Sequence, residues 1–210
     1  MCGKRVVFLA SLIALSSVTA SAQDSSFQGL LFGINGSMAS TNTDIDIDGI
    51  KVKSVGQTST SAVAQIGYGY AATDRAVFSF GVTYGLSNLR AGEVSDDEES
   101  VEFYAKQNYG IYFEPGYKIG SNTLMYALVS YENAKGVEDY VALDPADSIK
   151  ARRSVRGFGF GFGSRSFFND IGYIQIQVKK TNFDQENITD STGVFEPSSL
   201  EGSIGIGFRY

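Results

Sequence analysis

Histidine and tryptophan are missing from this chain altogether, and its 210 residues include one Cys and three Pro. Without His there is no Ser–His or Cys–His nucleophile pair, no His general base and no His metal ligand. The lone Cys2 excludes an internal disulfide and a thiolate metal cluster. Positive charge is scarce as well. Against 23 Asp and Glu stand 17 Lys and Arg, a net charge of −6, which is not the basic footprint that nucleic acid requires. After residue 22 no run of 18 apolar residues occurs, so that part of the chain is expected to form no transmembrane helix. What the chain does have is 24 Gly, 15 Phe and 12 Tyr, in a length that fits one domain.

Residues 1–22 are expected to lie outside that domain. Lys4 and Arg5 precede an apolar run from Val6 to Leu15, and Ala20-Ser21-Ala22 has the small-x-small form cut by signal peptidase. The run is too short for a membrane anchor, which needs about 20 residues, and Cys2 precedes it, which does not fit bacterial lipidation. The domain is therefore expected over 23–210, where 15 basic and 23 acidic residues leave a charge of about −8.

Within that domain, apolar and small or polar residues alternate with a period of two, which is the mark of β-strands. Leu30, Phe32, Ile34 and Met38 share one face, opposite Leu31, Gly33, Asn35 and Ser37. The pattern recurs over 62–71, 77–86 and 108–119. Residues 124–133 are apolar on both faces, and outward facing is chosen for Ala127, Val129 and Tyr131. Phe158, Phe160 and Phe162 then alternate with Gly157, Gly159, Gly161 and Gly163. Ile174, Ile176 and Val178 oppose Tyr173, Gln175, Gln177 and Lys179, and Leu200 to Tyr210 alternate with Glu201 to Arg209. Short turns are expected at 72–75, 120–123 and near 168–170, and long loops at 86–103, 134–153 and up to about 198. Pro115 cannot donate a ladder hydrogen bond, so a bulge or register change is expected beside it.

Eight strands of about ten residues, with alternating short and long connections, predict an all-β fold: an eight-stranded antiparallel up-and-down transmembrane β-barrel. A soluble sandwich would carry bulky charged residues on its second face. Here that face holds Gly, Ser, Asn and Gln, the lining of a narrow lumen. A soluble, lipocalin-like barrel with an apolar ligand is the competing architecture.

The C-terminal run Ile204-Gly205-Ile206-Gly207-Phe208-Arg209-Tyr210 resembles the last strand of bacterial outer-membrane barrels. The chain from 23 onward is similar in layout to the OmpA-like and opacity-type, porin-family barrels. That resemblance implies the outer membrane of a Gram-negative bacterium, export through the periplasm, and recognition by the barrel-assembly machinery at Ile204, Ile206, Phe208 and Tyr210. Because the chain stops at Tyr210, no peptidoglycan-binding domain is expected. The outer-membrane barrel enzymes similar to this fold use a catalytic His, so the resemblance without His implies a non-enzyme.

Several polar groups are candidates for function. By parity Glu114, Lys118, Lys179, Glu201 and Arg209 face the lumen, where charges must be paired or hydrated. The expected pairs are Lys179 with Glu201, and Glu114 with Lys118 or Arg209. Lys150, Arg152, Arg153 and Arg156 cluster beside a long loop, where they are suited to the phosphates of lipopolysaccharide or simply to solubility. Asp44, Asp46, Asp48 and Gly49 imitate the start of a calcium loop, but Val55 stands where a bidentate Glu belongs, so a solvated hairpin is the stronger reading. The Gly-x-Gly repeats have the period of a strand and are not a phosphate loop.

No cofactor is implied. The expected partners are outer-membrane lipid, lipopolysaccharide, the assembly machinery and a surface ligand from host or environment. Two functional classes stay open: a structural or surface-interacting barrel with a largely filled lumen (envelope integrity, adhesion or stress), and a small pore for ions or solutes.

Overall fold

The computed structural model describes residues 27–47, 50–87, 89–95, 100–141, 149–184, 186–187 and 194–210. Its elements are strands: β1 (Gly29–Ile47), β2 (Ile50–Ala71), β3 (Ala76–Gly85), β4 (Leu89–Ser95), β5 (Ser100–Lys118), β6 (Thr123–Val141), β7 (Ile149–Phe167), β8 (Gly172–Phe183), β9 (Glu186–Asn187) and β10 (Val194–Arg209). Each stave pairs antiparallel with the next, and β1 pairs with β10 from Leu31↔Arg209 to Asp46↔Val194. That last pairing closes the sheet into a barrel. β4 continues the stave of β3 along β5, and the two-residue β9 continues that of β8 along β10, so the ten strands form eight staves.

Closure satisfies the backbone, which is what hydrocarbon demands of a spanning chain. Side-chain alternation then sets the two faces. Ile34, Met38, Ile66, Phe80, Val82, Ile111, Phe160, Phe162, Ile204 and Ile206 are exposed on the outer wall. Met125, Ala127 and Val129 share it, while Tyr126, Leu128, Ser130 and Glu132 turn inward, which settles the facing of the strand whose pattern was ambiguous.

Outward tyrosines mark the two edges of the wall. Tyr117 and Tyr109 lie eight residues apart on one face of β5, or ~26 Å along a strand at ~3.3 Å per residue. At a tilt of ~40° this becomes roughly 20 Å of membrane normal, close to the ~25 Å apolar band of such barrels. Tyr70, Phe78 and Tyr117 ring the end with the short bends 72–75, 119–122 and 168–171. At the other end Tyr84 pairs with Tyr109, and Tyr131 packs on Phe158 at 5.1 Å. In outer-membrane barrels the short turns lie on the periplasmic side.

Two expectations are corrected here. Much of the loops expected at 86–103, at 134–153 and up to about 198 is paired strand: β4 pairs with β5, β6 pairs with β7 out to Tyr140↔Ile149, and Val194 to Ser198 pair with β1. Strand pairing satisfies the backbone groups of a long acidic connection without a core, so five of the strands reach 19 to 22 residues. The Pro115 prediction also fails. Register is the same from Phe113↔Val129 to Gly116↔Tyr126, and Pro115 stays opposite Phe78. Beside Pro115 the rungs at Glu114 and Pro115 towards β6 are missing without a change of register, because pairing on both sides holds the strand in step; the register shift of this strand pair lies further along, between Lys106 and Tyr109.

Candidate functional site: the barrel lumen

The lumen is filled in three layers. Nearest the short turns, Phe27, Leu31, Val77, Leu124, Phe167 and Tyr173 form an apolar floor with Tyr126. Phe27 meets Phe167 edge to face at 5.2 Å. Apolar side chains fill this layer without needing hydrogen-bond partners.

Above the floor sits Arg165, 1% exposed. Its Nη2 donates to Glu114 Oε2 at 2.9 Å, its Nε to Gln175 Oε1 at 3.2 Å, and its Nη1 to Ser79 Oγ at 3.5 Å. The guanidinium also lies 5.2 Å from the ring centroids of both Tyr126 and Tyr173, positions that favour a cation over each ring. Gln175 Nε2 donates to Asn35 Oδ1 and to Gln65 Oε1, both at 2.9 Å, while the Tyr173 hydroxyl donates to the Phe32 carbonyl at 3.0 Å. One connected polar network therefore ties β1, β2, β3, β5, β7 and β8 together across the lumen.

The third layer lies towards the long connections. Lys179 Nζ donates to Glu132 Oε1 at 2.5 Å and lies 3.4 Å from Glu201 Oε2. Ser130 Oγ adds a bond to Glu132 at 3.1 Å. These three charges leave one negative charge in excess. They border a cavity of ≈ 40 Å³ together with Asn35, Ser61, Thr83, Asn108, Gln177 and Ser203, enough for a few waters.

Glycine makes these crossings geometrically feasible. A Cβ on Gly163 would meet the Tyr126 hydroxyl at 2.5 Å, one on Gly207 the Tyr173 ring, and one on Gly67 the Tyr112 hydroxyl. On β7, a Cβ at Gly159 would collide with Ser130 Oγ and lie 3.3 Å from Lys179 Cδ. The Gly face of β7 is thus the gap through which Lys179 on β8 reaches Glu132 on β6.

The structure redistributes the predicted lumen charges. Lys179 and Glu201 lie together. Glu114 is paired with Arg165, not with Lys118 or Arg209. Lys118 is four residues from Glu114 on the same strand, ~13 Å away at ~3.3 Å per residue, and its Nζ instead lies 5.6 Å from the Phe27 ring. Arg209 is at the rim with the short turns, donating to the Gln28 carbonyl at 3.3 Å and the Asp170 carbonyl at 2.8 Å. Arg165 and Glu132 were missed. Continuing the inward parity 157, 159, 161, 163 by one step reaches Arg165, and the chosen facing of 124–133 puts Glu132 inward, so both signals were present.

Ile204, Ile206 and Phe208 are exposed on the outer wall and, among the described residues, Tyr210 is the most exposed of the large apolar ones, with its carbonyl accepting from Leu30 N at 2.8 Å. Arg156 is exposed, and Lys150, Arg152 and Arg153 stand on β7 opposite Asp139, Val137 and Gly136; the side chains of these three lie outside the described residues. Asp44 and Asp46 are on β1, paired with Glu196 and Val194, hence on extended backbone. Asp48 and residues 1–26 lie outside the described residues.

A closed antiparallel barrel with an apolar outer wall, an aromatic ring at each end and a polar ion-paired lumen defines an outer-membrane β-barrel protein. The chain belongs to the outer membrane protein beta-barrel domain family, whose model matches residues 10–208. Among solved structures it is similar to Neisserial surface protein A, with 12% identity, a TM-score of 0.52, and 85% of this chain and 97% of that one covered. It is also similar to OprG of Pseudomonas aeruginosa, at 12% identity, a TM-score of 0.50 and coverages of 89% and 98%. The attachment invasion locus protein of Yersinia pestis aligns at 13% identity, a TM-score of 0.45 and coverages of 87% and 99%. Such identities speak to fold alone. No curated protein matches the chain by sequence.

Proposed function

We propose that this protein is a non-catalytic barrel with a closed lumen, whose task is structural or is performed by its outward-reaching ribbons in envelope integrity, adhesion or stress response. The observation that carries this reading is the stacking of an apolar floor, the Glu114–Arg165 network and the Lys179–Glu132–Glu201 cluster in one narrow lumen. A hydrated ion crossing it would have to displace all three. Residues 1–22 serve export through the periplasm to the outer membrane of a Gram-negative bacterium, and Ile204, Ile206, Phe208 and Tyr210 serve recognition by the assembly machinery. Arg156, with Lys150, Arg152 and Arg153, meets lipopolysaccharide phosphates, and the ribbons carry the contact with a surface ligand from host or environment.

The cavity beside Lys179 supports a second reading, a small pore, and its excess negative charge would then favour cations. Reconstitution into planar bilayers separates the two. The closed reading expects no steady conductance from the purified barrel and none from Glu201→Gln, since Lys179 keeps Glu132. A steady open level that survives in single-channel records overturns it.

A further inference from the structure

The lipid-facing wall carries a shallow, open groove of ≈ 420 Å³ over β5 and β6, bordered by Phe78, Pro115, Tyr117, Met125 and Ala127, with Gly116 and Tyr126 contributing from the wall itself. Its origin is local. Pro115 brings no N–H, the rungs at Glu114 and Pro115 towards β6 are missing, and Ala127 offers only a methyl group between the longer Met125 and Val129. Phe78 and Tyr117 lie within three residues of the bends 72–75 and 119–122, so the groove starts at the periplasmic edge of the membrane. At that end Arg75 is exposed and its Nη1 donates to the Tyr117 hydroxyl at 2.9 Å. The bond uses one of five guanidinium donors and holds the cation at the mouth of the groove. Asp74 adjoins it in the bend and competes for the same charge.

We propose that this groove binds one phospholipid of the periplasmic leaflet, with its phosphate on Arg75 and one acyl chain lying over Pro115 and Ala127. A shallow apolar depression ending in a guanidinium held by Tyr117 matches the two halves of a phospholipid, since Arg engages phosphate through paired donors. Position selects the leaflet, because the short turns lie on the periplasmic side. The site depends on the spanning fold and its orientation, and is independent of whether the lumen conducts.

The absence of Trp from the chain provides a blank background for a test. Phe78→Trp places a reporter on the groove wall, and Ile174→Trp places one on the outer wall the same three residues from a bend. Each protein, shown to be folded by heat-modifiable gel migration, is reconstituted in phosphatidylcholine vesicles with rising fractions of brominated phosphatidylglycerol. The expected relative association constant from quenching is about threefold higher at residue 78 than at residue 174, the scale of an exposed charge contact. Arg75→Ala or Ala127→Phe should each bring the value at 78 down to that at 174, while Arg75→Lys retains most of the preference. Equal quenching at the two reporters with Arg75 present overturns the proposal. A preference that survives both Arg75→Ala and Ala127→Phe also overturns it, as does oxidative cross-linking of an Ala127→Cys variant into dimers, which would assign the groove to a second copy of the chain.

Discussion

Arg165 shows how one residue organises the interior. Burying a guanidinium and a carboxylate costs several kcal/mol per ion, and mutual attraction recovers this only with further hydrogen bonds. Here Gln175, Ser79 and the rings of Tyr126 and Tyr173 supply those additional contacts. The pair is therefore worth little net stability while intact and is costly to break. Glu114→Gln leaves the Arg165 charge buried without its counter-ion and is expected to lower unfolding free energy by about 3–5 kcal/mol, read from urea unfolding in detergent micelles. Replacing both residues together, as Glu114→Leu with Arg165→Met, should recover most of that loss. If Glu114→Gln unfolds at the wild-type urea concentration, the pairing is wrong. Parity places Glu114 in the lumen from the sequence. Its partner is not legible there, because Glu114 and Arg165 stand on strands separated by β6, and no neighbouring register links them.

Among the elements, β7 carries the most consequence. Its alternation of Phe and Gly predicts lipid contact and lumen space, and both hold: Phe158, Phe160 and Phe162 are exposed while Gly157, Gly159 and Gly163 are buried. What the pattern does not state is which side chain fills each vacancy. Tyr126 fills that at Gly163, and Lys179 crosses at Gly159. Gly163→Ala is expected to destabilise by ~1–3 kcal/mol, the usual cost of overpacking a filled site, because its methyl would meet both the Tyr126 ring and the Ile176 carbonyl. Gly202, where an added methyl would have nothing within 4 Å, is the control: Gly202→Ala should change thermal unfolding little. Equal effects at the two positions would refute the assignment of Gly163 as the seat of Tyr126. The expected bulge at Pro115 fails at this same scale. Proline does forgo its ladder bond, but a strand held by partners on both sides loses rungs before it loses register.

For the whole molecule, closure between β1 and β10 is the decisive contact. Ile34 and Ile206 are opposite one another on the outer face, and antiparallel partners ~4.5–5.5 Å apart fall within disulfide range. The sole Cys is Cys2, so Ile34→Cys with Ile206→Cys in residues 23–210 introduces one unambiguous pair. Mild oxidation should cross-link it in the folded protein and leave a denatured sample uncross-linked, with gel mobility as the readout. Absence of a cross-link in folded protein would mean an open sheet.

The sequence by itself determined the class of fold, the facing of nearly every strand and the Lys179–Glu201 proximity, because each follows from a period of two and from neighbour register, both written along the chain. Tertiary structure decided the rest. Glu114 meets Arg165 and Glu132 meets Lys179 only because closing eight staves brings alternate strands face to face across a narrow lumen, and the acidic connections became ribbons because their backbones had partners to pair with. Local pattern sets where a side chain points, whereas curvature and closure set what it meets.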